Sequence, residues 1–212
     1  MTILKSDLFG RLTLDQERGP SIVIRDARAA RWWLGWLARR LCRREARALA
    51  RLDGLPGTPR LVGTGDGVLR REWIDGRPMQ VARPRNPDYF RRAHRLVSAL
   101  HRRGVAHNDL AKEPNWLVTP IGAPALVDFQ LATVSAMRGP LFRMLAREDL
   151  RHLLKHKRSY CPERLTARER RILATPALVS RLWMATGKPV YLFVTRRLLG
   201  WADREGAGDR RF

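Results

Sequence analysis

Two clusters of glycine and proline constrain this chain more than any other feature. Gly54, Pro56, Gly57 and Pro59 lie within six residues, and Ile74-Asp75-Gly76-Arg77-Pro78 begins fifteen residues after Pro59. Proline lacks an amide donor and fixes φ, while glycine loses the most freedom on ordering, so neither cluster can sit inside a helix or a central strand. The elements around them must therefore be short. Ser21-Ile22-Val23-Ile24 is β-branched and follows Gly19-Pro20, which predicts a strand leaving a turn. Residues 28–52 predict a helix: Leu34, Leu37, Leu41, Ala48 and Leu52 supply apolar spacing, and Arg39, Arg40, Arg43, Arg44 and Arg47 crowd the other positions. Arg60–Gly63 and Val68–Trp73 flank Thr64-Gly65-Asp66-Gly67, a hairpin signal.

Beyond the second cluster the pattern changes. After a loop at Pro84–Pro87, residues 88–103 predict a helix with Phe90, Leu96, Val97 and Leu100 inward and Gly104 at its stop. Trp116-Leu117-Val118 and Ala125-Leu126-Val127 read as apolar strands around the turn-rich Thr119–Pro124. From about Pro140 the chain reads as helical and basic. Strands with one main helix, a break, then mostly helices with a small hairpin make an α+β pattern in two lobes, residues 1–75 and 76–212.

Charge narrows the partners. Among 212 residues, 42 Lys and Arg oppose 20 Asp and Glu, a formal charge of +22. That field attracts polyanions such as nucleoside triphosphates, acidic lipids, phosphorylated glycans or nucleic acid. No helix-turn-helix, zinc-finger or RNA-binding aromatic spacing accompanies it, so nucleic acid is the weaker expectation. Cys42 and Cys161 are too few for a disulfide framework, and His152, His156 and Cys161 lack the fourth ligand of a zinc site. Met1–Asp7 has no apolar signal core and no stretch reaches membrane-spanning length, so a cytoplasmic location is expected, with peripheral attachment to the inner face of a membrane as the alternative.

One stretch carries chemistry. His107-Asn108-Asp109-Leu110-Ala111-Lys112-Glu113-Pro114-Asn115 offers a base, a cation and an amide within nine residues. Thirteen residues beyond Asn115 comes Asp128-Phe129-Gln130, at the end of an apolar strand. A short hairpin between them would bring Asn115 and Asp128 together as oxygen ligands for one metal cluster. Transfer of a phosphoryl group from ATP needs little more: acids and an amide on magnesium, a base near the acceptor hydroxyl, and cations on the phosphates.

His107-Asn108-Asp109 resembles the His-Arg-Asp catalytic loop of protein kinases, and Asp128-Phe129-Gln130 resembles their Asp-Phe-Gly motif. The form is similar to the RIO-type serine/threonine kinases and to bacterial lipopolysaccharide-core sugar kinases of the same superfamily. The resemblance spans residues 20–160 and is strongest between Ala99 and Leu131. It implies a two-lobed kinase-like fold, with a truncated small lobe before residue 76, and an ATP- and Mg2+-dependent phosphotransferase. It implies Asp109 as base, Lys112 as the cation on the transferred group and His107 as a brace. Asn115 and Asp128 would hold magnesium. In the first lobe it implies Arg25 on the phosphates, Glu45 as its ion-pair partner twenty residues on, and Glu72–Gly76 as the hinge behind the adenine.

The chain also departs from that pattern. Arg25 stands where kinases place lysine, and a guanidinium fork is not an ammonium. Gln130 stands in place of glycine. The Asp109–Asn115 separation is one residue longer than usual, which predicts a local bulge. Only Phe9-Gly10-Arg11 and Gly19 stand in for a glycine-rich loop, and no Ala-Pro-Glu motif follows Gln130. The implied acceptor is a hydroxyl, on protein Ser/Thr in a RIO-like kinase or on a glycolipid sugar in an envelope sugar kinase. A pseudokinase acting as a binding module is the reading from another class.

Trp32, Trp33 and Trp36 beside Leu34, Leu37 and Leu41 allow two placements. They can cover the small lobe's sheet, which is the expectation here, or lie against an anionic membrane surface. Val190–Val194 and Arg196–Trp201 repeat the aromatic and basic theme.

Overall fold

The computed structural model of the chain describes residues 1–16 and 19–174, so the aromatic-basic segment at 190–201 lies outside the described residues. The chain divides into two compact units, Met1–Leu153 and Leu154–Phe212. The architecture is α+β, as the sequence predicts. In the first unit a five-stranded antiparallel sheet runs in the order β1-β2-β3-β5-β4, built from β1 (Thr2–Asp7), β2 (Gly10–Asp15), β3 (Ile22–Asp26), β4 (Leu61–Gly65) and β5 (Val68–Glu72). A single long helix, α1 (Gly35–Arg51), is inserted between β3 and β4.

The β1–β2 hairpin is absent from the sequence reading, and its chemistry explains why. All six residues of β1 are exposed, so the strand has no apolar face to alternate. The helix predicted from residue 28 starts only at Gly35. Ala27–Ala29 and Trp32–Leu34 are separate 3-10 turns, with Ala30 and Arg31 extended between them. The Ala27 amide donates to the Gly67 carbonyl at 2.9 Å and the Arg31 amide to that of Leu8 at 3.2 Å. Bonds to distant loops thus replace the helical ladder.

α1 buries Ala38, Cys42, Glu45, Ala46 and Leu49, one stripe at helical spacing. The tryptophans do not cover the sheet: Trp32 is 92% and Trp36 66% exposed, because they lie at the helix start and off that stripe. Neither cysteine is in a disulfide, and both are buried. Burial pushes the Cys42 thiol above its ordinary pKa, with the Glu45 carboxylate adding to the effect.

After residues 73–76 come β6 (Arg77–Pro78), the short α2 (Met79–Ala82) and α3 (Pro87–Arg102). The Asn86 side chain caps α3 by accepting from the Asp88 amide at 2.9 Å, and Pro87 occupies the first turn. Its predicted inner residues Phe90, Leu96, Val97 and Leu100 are all buried. β7 (Val105–Ala106) follows α3, and β8 (Trp116–Val118), β9 (Pro124–Leu126) and β10 (Thr133–Val134) come after it. β6 pairs with β8, β8 with β9, and β7 with β10. α4 (Pro140–Tyr160) and α5 (Ala167–Ala174) end the described chain. Thr166 and Glu169 cap α5 reciprocally, each accepting the other's amide, and Lys157 binds both Glu169 oxygens at 2.7 and 2.8 Å. Among the described residues no helix is long and apolar enough to cross a membrane.

Gly104 ends α3 as its position in the sequence predicts, and the structure adds a reason. Its φ is +74°, and a Cβ there would sit 2.3 Å from the Ser135 carbonyl oxygen, while the Ser135 amide donates to the Gly104 carbonyl at 2.8 Å. Gly54 has a similar φ of +70° with open space around it. Gly104→Ala should therefore lose about 3 kcal/mol in chemical denaturation and Gly54→Ala only about 1 kcal/mol. Equal losses would mean that backbone conformation alone, and not the close approach to Ser135, is responsible.

Candidate functional site

Residues from both expected lobes form two side-chain clusters within the first unit. The first gathers on β3, α1 and β5. Arg25 leaves the end of β3 toward α1, where its Nε lies 3.1 Å from Oε2 of Glu45. Glu45 is fully buried, and its other oxygen lies 3.2 Å from Nε of Arg71 on β5. Neither contact has the alignment of a linear hydrogen bond, so the triad is held by charge. The Arg25 guanidinium also reaches Oδ1 of Asp128 at 3.5 Å.

Gln130 completes this cluster. In the orientation that satisfies both ends of its carboxamide, its oxygen accepts from Arg25, 2.6 Å from Nη2 and 3.0 Å from Nε. The two most conspicuous departures from the kinase pattern, arginine for lysine and glutamine for glycine, therefore touch each other. A five-donor fork has more donors to satisfy than an ammonium, and the glutamine supplies a further acceptor.

The second cluster is the loop after β7. His107 is buried; its amide donates to Asp149 at 2.8 Å, its Nε2 faces the Val127 carbonyl at 3.1 Å, and its ring packs 4.6 Å from that of Phe129. These contacts tie the His107 loop to the Asp128-Phe129 segment. Asn108, at φ +66°, donates its side-chain amide to the Leu131 carbonyl at 2.8 Å and to the Thr133 hydroxyl at 2.9 Å.

Asp109 points one carboxylate oxygen at Nδ2 of Asn115, 3.1 Å away, and at Nζ of Lys112, also 3.1 Å away. Asn115 further donates to the Asp109 carbonyl at 2.9 Å. Between Asp109 and Asn115 the backbone closes in a 3-10 turn, Glu113–Asn115. Trp116 closes it from beneath, its indole N–H donating to the Leu110 carbonyl at 3.1 Å.

Asp128 links the two clusters. Its backbone is left-handed, at φ +65° and ψ +69°, a conformation that costs a non-glycine residue energy and persists only where surroundings enforce it. The preceding Val127 amide is pinned to the Asn115 carbonyl at 3.1 Å. Burial pushes the Asp128 carboxyl up, but Arg25, Arg71, His107 and Lys112 outweigh it and hold the group below the usual carboxylate range. The side chain keeps 37% exposure, so the ionised carboxylate still meets solvent.

Glu72 belongs to neither cluster. Arg60 holds its carboxylate at 2.7 and 2.8 Å, and the Glu72 and Trp73 amides donate to the Arg60 and Ser21 carbonyls, both at 2.9 Å. Gly76 lets the chain after β5 pass close to β8: a Cβ there would meet Leu117 Cβ and the Val118 oxygen, both at 3.1 Å.

Two site residues escape the sequence reading. Arg71 is buried beside Glu45, and burial lowers its pKa while Glu45 pulls it back up. Adjacent Arg70 and Arg71 in a strand force one of them inward, which is the available signal. Asp149 on α4 is fully buried and accepts the amides of His107 and Asn108 at 2.8 and 2.9 Å, with His101 Nε2 at 3.0 Å. Its signal is an acid on the buried stripe of Phe142 and Leu153.

The oxygen donors suit a hard cation. Asp128 Oδ1 is buried without a hydrogen-bond partner, and Asn115 meets Asp109 through its amide nitrogen, which leaves the side-chain carbonyl oxygen free of that duty. One or two carboxylates with an amide, completed by phosphate oxygens and water, is how magnesium is commonly held. Among the described residues no group of three or more His, Cys, Asp or Glu converges as an all-protein metal site. No family model matches the chain, and no curated protein matches it significantly.

Proposed function

We propose that the chain is an ATP- and Mg2+-dependent phosphotransferase with a kinase-like division of labour, acting on a hydroxyl acceptor. The observation that carries this reading is the convergence of Arg25, Glu45 and Asp128, three residues singled out from the sequence and over a hundred positions apart at the extremes. The five-stranded antiparallel sheet with one helix between its third and fourth strands in chain order supports it as well.

In this reading Asp128 and the Asn115 side-chain carbonyl hold magnesium, and Arg25 leaves Asp128 to clamp phosphate oxygens. ATP would supply the transferable phosphoryl group. Asp109, with Lys112 and Asn115 already fixing one of its oxygens, orients the acceptor hydroxyl and takes its proton. Lys112 and Arg25 balance charge on the transferred group. His107 and Asp149 act only by holding the loop in register.

One observation favours a sugar hydroxyl over a peptide. Only the eleven residues 129–139 separate Asp128 from α4, and five of them, Phe129–Leu131 and Thr133–Val134, are already in a 3-10 turn or β10. That leaves no long segment to lay a peptide substrate along. Incubation with ATP labelled at the terminal phosphate, Mg2+ and either envelope glycolipid or basic protein tests the reading. Label is expected in the glycolipid; label in protein would return the acceptor to Ser/Thr. Nucleotide binding with no transfer to either would favour the pseudokinase reading, in which the Arg25–Asp128 contact blocks the metal.

A further inference from the structure

α1 carries a second stripe away from its buried one. Trp36, Arg40, Arg43 and Arg47 recur at the spacing of one helix face, and together with Arg44 and residues 132–134 they line an open cleft of about 750 Å³. Arg44 forms the wall: its guanidinium donates to the carbonyls of Leu131 at 3.0 Å and Ala132 at 3.2 Å, locking helix and segment together. The three outer arginines are exposed, and among the described residues no carboxylate pairs with Arg40, Arg43 or Arg47. Residues 27–51 hold eight arginines and one acid, Glu45, which is buried and spent on Arg25 and Arg71. Trp36 on this face is 66% exposed, and Trp32, in the 3-10 turn that leads into α1, is 92% exposed.

Unpaired like charges crowded on one helix face repel each other and weaken the helix, and large exposed aromatics cost hydration. Both costs vanish against a surface that is anionic at its face and apolar just below. Tryptophan belongs at that level of a bilayer, and arginine binds lipid phosphate as a fork. We infer that the face formed by Trp32, Trp36, Arg40, Arg43 and Arg47 is a docking surface for an anionic lipid bilayer. Duplex or single-stranded nucleic acid would use the arginines equally, but the aromatic pair sits at one end of the stripe and is not interleaved along it as base stacking requires. This face is independent of the phosphotransferase reading, because none of its five residues belongs to either site cluster.

Sedimentation of the full chain with vesicles tests it, using phosphatidylcholine alone and with about 30 mol% phosphatidylglycerol near 0.15 M salt. Binding should require the anionic lipid. Reversing Arg40, Arg43 and Arg47 to Glu should weaken it at least about 100-fold. Because the chain carries +22 overall, the same charge change must be made elsewhere, and Arg70, Arg92 and Arg95 to Glu is expected to weaken binding by less than about 10-fold. Trp32→Ala with Trp36→Ala should reduce binding several-fold at unchanged charge, which keeps the proposal testable if the triple reversal fails to fold. Equal losses in the two triple variants, or binding indifferent to the tryptophans and to lipid charge, would overturn it. So would an oligonucleotide that competes only in the presence of the intact α1 arginines while vesicle binding ignores them.

Discussion

Glu45→Gln is expected to destabilise the protein by about 3–5 kcal/mol, the largest stability effect of any single charge removal in the first unit. The substitution keeps the shape of the side chain and deletes only its charge. Glu45 has no exposure, and its two oxygens face Arg25 at 3.1 Å and Arg71 at 3.2 Å. Without the carboxylate two guanidinium groups confront one another, and that of Arg71 is buried. Since these contacts rest on charge and lack hydrogen-bond alignment, glutamine cannot replace them by accepting a bond. A second substitution, Arg71→Met, should recover part of the loss, because a buried pair removed whole costs less than a pair broken. Chemical denaturation of the single and double variants checks this. A loss below about 1 kcal/mol in Glu45→Gln would mean that water already screens the triad.

Asp109→Asn should act on turnover and leave stability almost untouched. The asparagine retains an oxygen able to accept from Asn115 and Lys112, so the loop keeps its geometry. What it loses is the capacity to take the acceptor's proton, an effect worth about 10²- to 10⁴-fold in rate. ATP affinity should stay within a few-fold of the wild type, since Asp109 is outside the Arg25–Glu45–Asp128 cluster. Transfer of labelled phosphate measured beside nucleotide binding separates the two effects. Undiminished transfer would remove Asp109 from the role of base.

The elements that the sequence announces and those it conceals differ in one physical respect, the range of the interactions that shape them. α3 is legible because its signals are local: four apolar residues at helical spacing and Gly104 at the end, whereas the Asn86 cap and Pro87 in the first turn fall in what the sequence reads as the preceding loop. The loop from His107 to Asn115 is legible because its residues are chemically unusual in combination. The start of α1 is not, because the amides of Ala27 and Arg31 bond to Gly67 and Leu8, loops that no local pattern connects to them. β1 is hidden because an exposed edge strand needs no apolar alternation. Arg71 and Asp149 are hidden because charged residues usually face water, and only the partner that neutralises them, Glu45 or the loop amides, explains their burial. The meeting of Arg25 and Gln130 cannot be read from either residue alone, since each looks like a defect until the other is beside it.

If Asp128 and Arg25 mark a magnesium-nucleotide site, calorimetric titration with ATP detects it without knowledge of the acceptor. The wild type should bind ATP more tightly with Mg2+ than without. Asp128→Ala should lose that magnesium dependence, because it removes a carboxylate that is ionised, has an oxygen without a hydrogen-bond partner and is open to solvent. Binding of ATP that is equally tight with and without magnesium, or unchanged in Asp128→Ala, would contradict the account.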